Sequence, residues 1–208
     1  MEQYQSLINT ISLTMGTAWA SGINLYATIF MLGILGANNV IALPPSLELL
    51  TNPLVIGAAG IMYFVEFFAD KIPAVDSTWD AVHTFIRIPL GALLAAGAVG
   101  EVNPAVTTAA FLLGGTMAAG THAAKAGTRV LINTSPEPFT NIAASVTEDV
   151  AVVGGLWAAL NYPLVFIAFI VAFALFLIWA LPKLWRGIKK VFGAIARLFR
   201  GAPAPAEM

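Results

Sequence analysis

The chain has 208 residues, of which 59% are hydrophobic and 10% charged, with a formal net charge of -1 and a mean hydropathy of +0.84. That is too little polar surface to cover a soluble globule of this size, so the composition excludes a soluble enzyme domain and reads as a polytopic membrane protein. Zero cysteines exclude disulfides, thiolate metal ligands and thiol catalysis.

The amino end, MEQYQSL, carries no Lys or Arg, so no cleaved signal peptide is read there. From Leu7 to Gly36 the apolar stretch is longer than one span requires. Ser21, Gly22 and Asn24 in its middle weaken helix continuity, which predicts two half-helices or one broken helix. ANNVIALPPSLELLTNP follows as a loop with a short helical turn, ending where Asn52 caps a helix and Pro53 takes its first position. That helix runs to about Ala69. Pro73 and Pro89 then bracket a helical segment capped by Asp76 or Ser77. The apolar run from Leu90 to Val99 is too short to cross alone and either continues a kinked helix or forms one arm of a re-entrant hairpin.

Asn103-Pro104 opens the next helix, which passes Gly114, Gly115 and Gly120 towards Arg129. The small-residue run Gly114 to Gly120 suits close helix packing within the chain or a homo-oligomer. INTSPEPF is a break, Thr140 to about Tyr162 is a helix, and Pro163 to Leu181 is a span without charge. NPLVIGAA at Asn52 and NPAVTTAA at Asn103 suggest an internal repeat starting near 52 and 103.

Residues 1–182 are thus expected to form an integral membrane domain, an all-α polytopic helix bundle with broken or re-entrant helices. Residues 183–201 are expected to form a basic amphipathic helix in the interface, and 202–208 a flexible tail. Six of the ten basic residues lie between Lys183 and Arg200. Lys183, Trp185, Arg186, Lys189, Lys190, Arg197 and Arg200 are the predicted contacts to anionic lipid head groups. Basic residues beside a span are retained in the cytoplasm, which places the carboxyl end there, in a bacterial inner membrane. A helix packing on a partner protein is the alternative for this segment.

Eleven of the fourteen charged residues before Lys183 fall into two clusters, Glu66 to Arg87 and His122 to Asp149, which also hold both histidines. Charge is expensive in lipid, so these clusters are where function is expected. Asp76, Asp80, His83 and Arg87 fall within about 60° of one another on a helix and make one polar stripe. Glu66 and Asp70 form an i, i+4 pair on the preceding helix, followed by Lys71. Such a set can bind a cation, relay a proton, or neutralise itself through pairing of Asp80 with Arg87 or Lys71. In the second cluster His122, Lys125 and Arg129 share a face, and Asn141, Ser145 and Glu148 repeat that geometry with Asp149 beside them. Lys125 and Arg129 can pair with Glu148 and Asp149 or hold an anion between the two helices.

No metal is expected: HExxH and HxxxH are absent, and His83 with Asp76 and Asp80 is the best ligand set available. Proton titration is the preferred role for His83. Ser21, Ser77, Thr121 and Ser145 lack a triad-like context, and no phosphate loop is present, so neither an enzyme nor a cofactor is expected. The one basic run is amphipathic and juxtamembrane, which gives no sign of nucleic-acid binding.

ASGINLYAT (Ala20 to Thr28), VEFFADKIPAVDSTWDAVHTFIRIPLGALLA (Val65 to Ala95) and THAAKAGTRVLINTSPEPFTNIAASVTEDV (Thr121 to Val150) resemble the bacterial membrane-protein family of unknown function DUF4126. The resemblance covers nearly the whole chain up to about Leu181 and implies a multispan membrane protein, without supplying an activity or a catalytic residue. A looser likeness of layout is to transporters and flippases with re-entrant hairpins. The expected function is a secondary transporter or flippase-like carrier for a small ion, solute or anionic lipid. Its broken helices bring Asn24, Glu66, Asp70, Lys71, Asp76, Asp80, His83 and Arg87 together with His122, Lys125, Arg129, Glu148 and Asp149 around a shared wet pocket. The alternative is a non-transporting scaffold or assembly factor whose charges are structural ion pairs.

Overall fold

A computed structural model of the chain describes residues 1–72, 75–134 and 138–199. Every regular element among them is helical: α1 (Glu2–Ala37), a 3₁₀ segment (Pro45–Thr51), α2 (Pro53–Ala69), α3 (Val75–Val99), α4 (Pro104–Ile132), α5 (Pro138–Asn161) and α6 (Pro163–Phe199). By length and apolarity α1, α3, residues 139–161 of α5 and residues 163–194 of α6 are candidate membrane spans. The 3₁₀ segment and α2, bent by 68°, supply a further candidate. The chain is therefore an all-helical membrane protein.

Local chemistry sets most of the helix starts. Asn52 and Asn103 each accept the backbone N–H two residues on, from Leu54 and Ala105, and Pro53 and Pro104 occupy the first turn, where the missing N–H costs nothing. α5 ends one residue before Tyr162 because Pro163 disfavours helical backbone in the residue ahead of it. Asn39, with φ of 56°, turns the chain out of α1, a conformation that asparagine tolerates better than most residues. Gly100, with φ of 76°, does the same after α3.

Within α1, Asn24 has extended backbone angles (φ −146°, ψ 101°). Its Oδ1 accepts the N–H of Ala27 at 2.9 Å, the geometry of an N-cap, so a second half-helix starts there. The first arm sends Ser12 Oγ to the carbonyl of Ala159 and packs Gly16 against Ala159 and Phe166, at the end of α5 and the start of α6. The second arm packs Gly33 and Gly36 on Leu43, Leu50, Thr51 and Ile56, and Leu47 of the same strap covers Gly97 near the end of α3. Both arms thus point to one end of the bundle, here called the near end. α1 is a V whose apex lies inside the bundle, with Gly22 against Ala118 and Thr121 of α4. The two expected half-helices are present, arranged re-entrantly.

α3 and α4 run antiparallel as the central pair, with Gly114 on Ala95, Gly115 on Ala92 and Ala118 on Gly91. The small-residue run of α4 is thereby used within the chain, where a methyl in place of hydrogen would meet α3. Trp19, Val152, Leu156, Phe166, Ile170 and Leu177 form the main apolar core between the first arm, α5 and α6.

Two boundaries differ from the sequence reading. α3 begins at Val75, so Asp76 and Ser77 lie in its first turn instead of capping it, and the helix continues through Pro89 to Val99. α6 continues through Pro182 to Phe199 with no helix end between the apolar span and the basic segment. Leu184 and Ile188 pack over Gly127, and Leu131 packs over Gly187, so the basic segment begins docked on α4. That packing holds the helix together where proline removes one backbone hydrogen bond. Arg200 and residues 202–208 lie outside the described residues, as does the side chain of Arg197.

Candidate functional site

The bundle interior beside the apex of the V is filled with charge. Arg87 of α3 donates through Nη1 to Asp80 at 2.9 Å and through Nη2 to Glu66 of α2. Lys125 of α4 donates to Asp70 at 2.9 Å and to Glu66 at 3.4 Å, and lies 3.4 Å from Glu148 and 3.8 Å from Asp80. It also donates to the carbonyl of Ile23 at 3.1 Å, an oxygen that the break at Asn24 releases from the helix ladder. Arg129 forks onto Glu148, with Nε–Oε1 at 3.1 Å and Nη2–Oε2 at 2.7 Å, and its Nη1 donates to the carbonyls of Asp70 and Asn141. Asn133, just past α4, donates to Asp76 at 2.6 Å and to Ser77 at 2.9 Å. Glu66, Arg87 and Arg129 are fully buried, whereas Glu148, with 20% of its side chain exposed, and Lys71, Asn133 and Asp149 are partly exposed.

The two sequence clusters therefore form one network that joins α2, α3, α4 and α5 to the broken helix. The fold produces this because antiparallel α3 and α4 turn their charged stripes towards each other, the first half of α3 facing the second half of α4. The network runs from Arg87 and His122, level with the apex, to Asp76 and Asn133 at the far end. Over the 11 residues of α3 from Asp76 to Arg87 that is about 16 Å of helix, roughly half a bilayer core. The near half, between the arms of the V, is apolar core.

The histidines sit at the rim of this network. Nδ1 of His83 faces the carbonyl of Trp79 at 2.8 Å, and a carbonyl only accepts, so His83 is protonated there and its Nε2 accepts from Tyr26 Oη at 3.1 Å. Its ring stacks on Trp79 with centroids 4.2 Å apart. Nδ1 of His122 lies 3.2 Å from Arg87 Nη1, which only donates, so His122 accepts there and donates from Nε2 to Thr84 Oγ1 at 2.8 Å. His83 thus carries a proton on Nδ1 and His122 on Nε2.

Asp80 pairs with Arg87 and Glu148 with Arg129, as the spacing allows, whereas three other contacts it allows are not made. His83 bonds to neither Asp76 nor Asp80, because Tyr26 and the Trp79 carbonyl occupy both of its nitrogens, and among the described residues no three His, Asp or Glu side chains are grouped to hold a metal ion. Lys71 does not pair with Asp80: its ammonium lies 3.0 Å above the Phe67 ring and donates to the Phe67 carbonyl and to Ser145. Asp149 takes neither Lys125 nor Arg129 but accepts from Asn24 Nδ2 at 3.4 Å. Among the cavities of the described residues, three, of 700, 770 and 640 Å³, open at the near end, and these three are lined by other residues than those of the network.

Sequence reasoning missed Tyr26, Trp79, Thr84, Asn133 and the Ile23 carbonyl. Thr84 stands four residues after Asp80 and Asn133 four after Arg129, so the helical stripes already contained both. A freed backbone carbonyl has no signature beyond the helix break itself. Of the expected lipid contacts, Lys183 lies 3.3 Å over the Trp179 ring, Lys189 lies 5.2 Å over Trp185, and Arg186 donates back to the Pro182 carbonyl.

One feature of the network is chemically open. Glu66, Asp70, Asp76, Asp80, Glu148 and Asp149 outnumber Lys71, Arg87, Lys125 and Arg129. Correspondingly, Glu66 Oε2, Asp70 Oδ1, Asp76 Oδ2, Asp80 Oδ2 and Asp149 Oδ2 are buried without a hydrogen-bond donor. A buried carboxylate oxygen without a donor is costly, and a proton or a small cation is what relieves it. No curated protein and no solved structure matches the chain. The model of the family described as a domain of unknown function, DUF4126, matches residues 11–183, and the chain therefore belongs to that family.

Proposed function

We propose that the protein is an ion-coupled secondary carrier for a small ion, solute or anionic lipid, in which the buried carboxylates take up the coupling proton or cation. The observation that carries this reading is the surplus of carboxylates over cations in a network that ends on a helix break. At such a break one half-helix presents carbonyls and the other its positive N-terminal end, the arrangement with which carriers handle ions and anionic groups near the bilayer midplane. The reading assigns no bond-making chemistry to the chain.

In the same proposal the membrane is the bacterial inner membrane, and Lys183, Trp185, Arg186, Lys189 and Lys190 of α6 meet anionic head groups on its cytoplasmic side. α1 turns back within the bundle and α2 to α6 alternate in direction, so the amino end then lies on the opposite side.

The burial of paired Glu66, Asp80, Arg87 and Arg129 supports a second reading, a scaffold whose charges are structural pairs. Purified protein in vesicles that trap a pH-sensitive dye, with an imposed proton, sodium or potassium gradient, separates the two. The carrier reading expects one of these gradients to decay faster than in empty vesicles, and the decay to slow by about a hundredfold in Glu66→Gln, as for loss of a proton-transferring group. Decay equal to that of empty vesicles for all three ions leaves the scaffold.

A further inference from the structure

The charged network reaches only from the far end to the apex of α1, so a carried ion needs a way through the apolar near half. Ser6, Thr10, Thr14, Thr17 and Ser21 of the first arm recur at spacings of four, four, three and four, which keeps them within about 80° on one helix face. Asn24 ends the same face. This face meets α3 and α4: Ser21 Oγ lies against Gly91, and Thr14 shares the 700 Å³ cavity with Val99, Val106 and Ala110. Exposure falls steadily along it, from exposed Ser6 through half-buried Thr10 to Thr17 and Ser21, which are fully buried.

Buried serines and threonines in membrane helices commonly bond to their own backbone and serve only to let helices approach. Thr17 and Ser21 do donate in this way, to the carbonyls of Thr14 and Ala18. Thr14 departs from that pattern. Its hydroxyl is buried and has no partner, and so is that of Thr121, which packs on Gly22 where the stripe meets the network. Alanine or valine would fill these positions without leaving polar atoms stranded, so close packing alone does not account for the choice of residues.

We infer that the seam between the first arm of α1 and the α3–α4 pair is the near-end access route for the coupling ion, and that this ion is a proton moving with hydrogen-bonded water. It enters from the 700 Å³ cavity at Thr10 and Thr14, passes Thr17 and Ser21, and reaches the apex beside Thr121, Asn24 and Lys125. Each hydroxyl accepts on a lone pair and passes its own hydrogen onwards once it turns, for Thr17 and Ser21 away from the Thr14 and Ala18 carbonyls, which leaves the side chain unchanged and favours a proton over a bare metal cation. The inference rests on the carrier reading and deepens it by naming the ion and the side of entry.

The absence of cysteine makes a direct test available. Thr14→Cys, Thr17→Cys and Ser21→Cys, each in vesicles, are exposed to Ag⁺ from the near-end side or the far-end side, and unreacted thiol is counted after denaturation. Leu156→Cys, equally buried but in the apolar core, is the control. The route predicts reaction from the near-end side at least about tenfold faster than the control, which corresponds to a barrier difference of about 1.4 kcal/mol. Reaction no faster than the control overturns it, whatever the flux measurements show. Proton flux supplies the second arm: Thr17→Val and Ser21→Ala are expected to slow it by about tenfold. If Glu66→Gln abolishes flux while both stripe variants conduct normally, the carrier reading stands and this route is wrong. Reactive stripe cysteines in a protein that moves no protons would remove the carrier reading and leave a hydrated seam.

Discussion

Asn24 shows how much one side chain does here. Its extended backbone ends one half-helix, its Oδ1 caps the next through Ala27, its Nδ2 reaches Asp149, and the carbonyl of Ile23 before it is released to Lys125. Asn24→Ala removes the cap and is expected to cost about 1 kcal/mol, whereas Asn24→Ser retains a capping oxygen and should keep most of it. Thermal unfolding in lipid with the three proteins side by side checks the order. Equal stability of the alanine and serine variants would mean that the cap is not what sets the break. Arg87 and Lys125 carry a different burden. Arg87 meets carboxylates of α2 and α3, and Lys125 meets those of α2, α3 and α5, so losing either leaves buried charge short of a counter-ion, which is the situation in which ion pairs matter most to folding.

At the scale of elements, the V depends on residues that let its apex come close to α4. A methyl on Gly22 would meet the Ala118 carbonyl 2.6 Å away, whereas one on Gly154 of α5 would meet nothing within 4 Å. Gly22→Ala is therefore expected to destabilise by about 1–3 kcal/mol through overpacking, and Gly154→Ala to gain up to about 1 kcal/mol from helix propensity. The reverse order of melting temperatures would place the apex elsewhere. Elements whose signals are local were legible beforehand. Asn52-Pro53 and Asn103-Pro104 each bring a cap and a first-turn proline within two residues, and the helices start there. The break near Asn24 was legible for the same reason, but its direction was not, because the arms are folded back by contacts with Ala159 and Leu50, far along the chain. Pro182 read as a boundary, yet packing of Leu184 and Ile188 on Gly127, more than 50 residues earlier, carries α6 through it. The charged stripes gave the membership of the site. Which acid meets which base followed from helix packing, and so Lys71, His83 and Asp149 found partners other than those their spacing suggested.

The whole molecule is polar in one half of its depth and apolar in the other. From the apex of α1 to the far end the interior is charge paired with charge, and from the apex to the near end it is Trp19, Leu156, Phe166 and their neighbours, crossed by the hydroxyl stripe. That division gives the re-entrant helix its place: its apex is the one point where the freed backbone groups, the network and the stripe all meet. It also makes cooperation between distant segments the property to measure, since a carrier and a scaffold both require the charges to be joined while solvated helix ends do not. A double-mutant cycle on Glu66 and Arg87, using Glu66→Gln, Arg87→Gln and the pair in lipid, reads this joining directly. Here the single losses are expected to cost about 3–5 kcal/mol each and the double much less than their sum, with a coupling energy of at least about 1 kcal/mol. Single variants that unfold like the wild type, with additive effects in the double, would mean that these charges stand apart in water and would contradict the buried network on which the account depends.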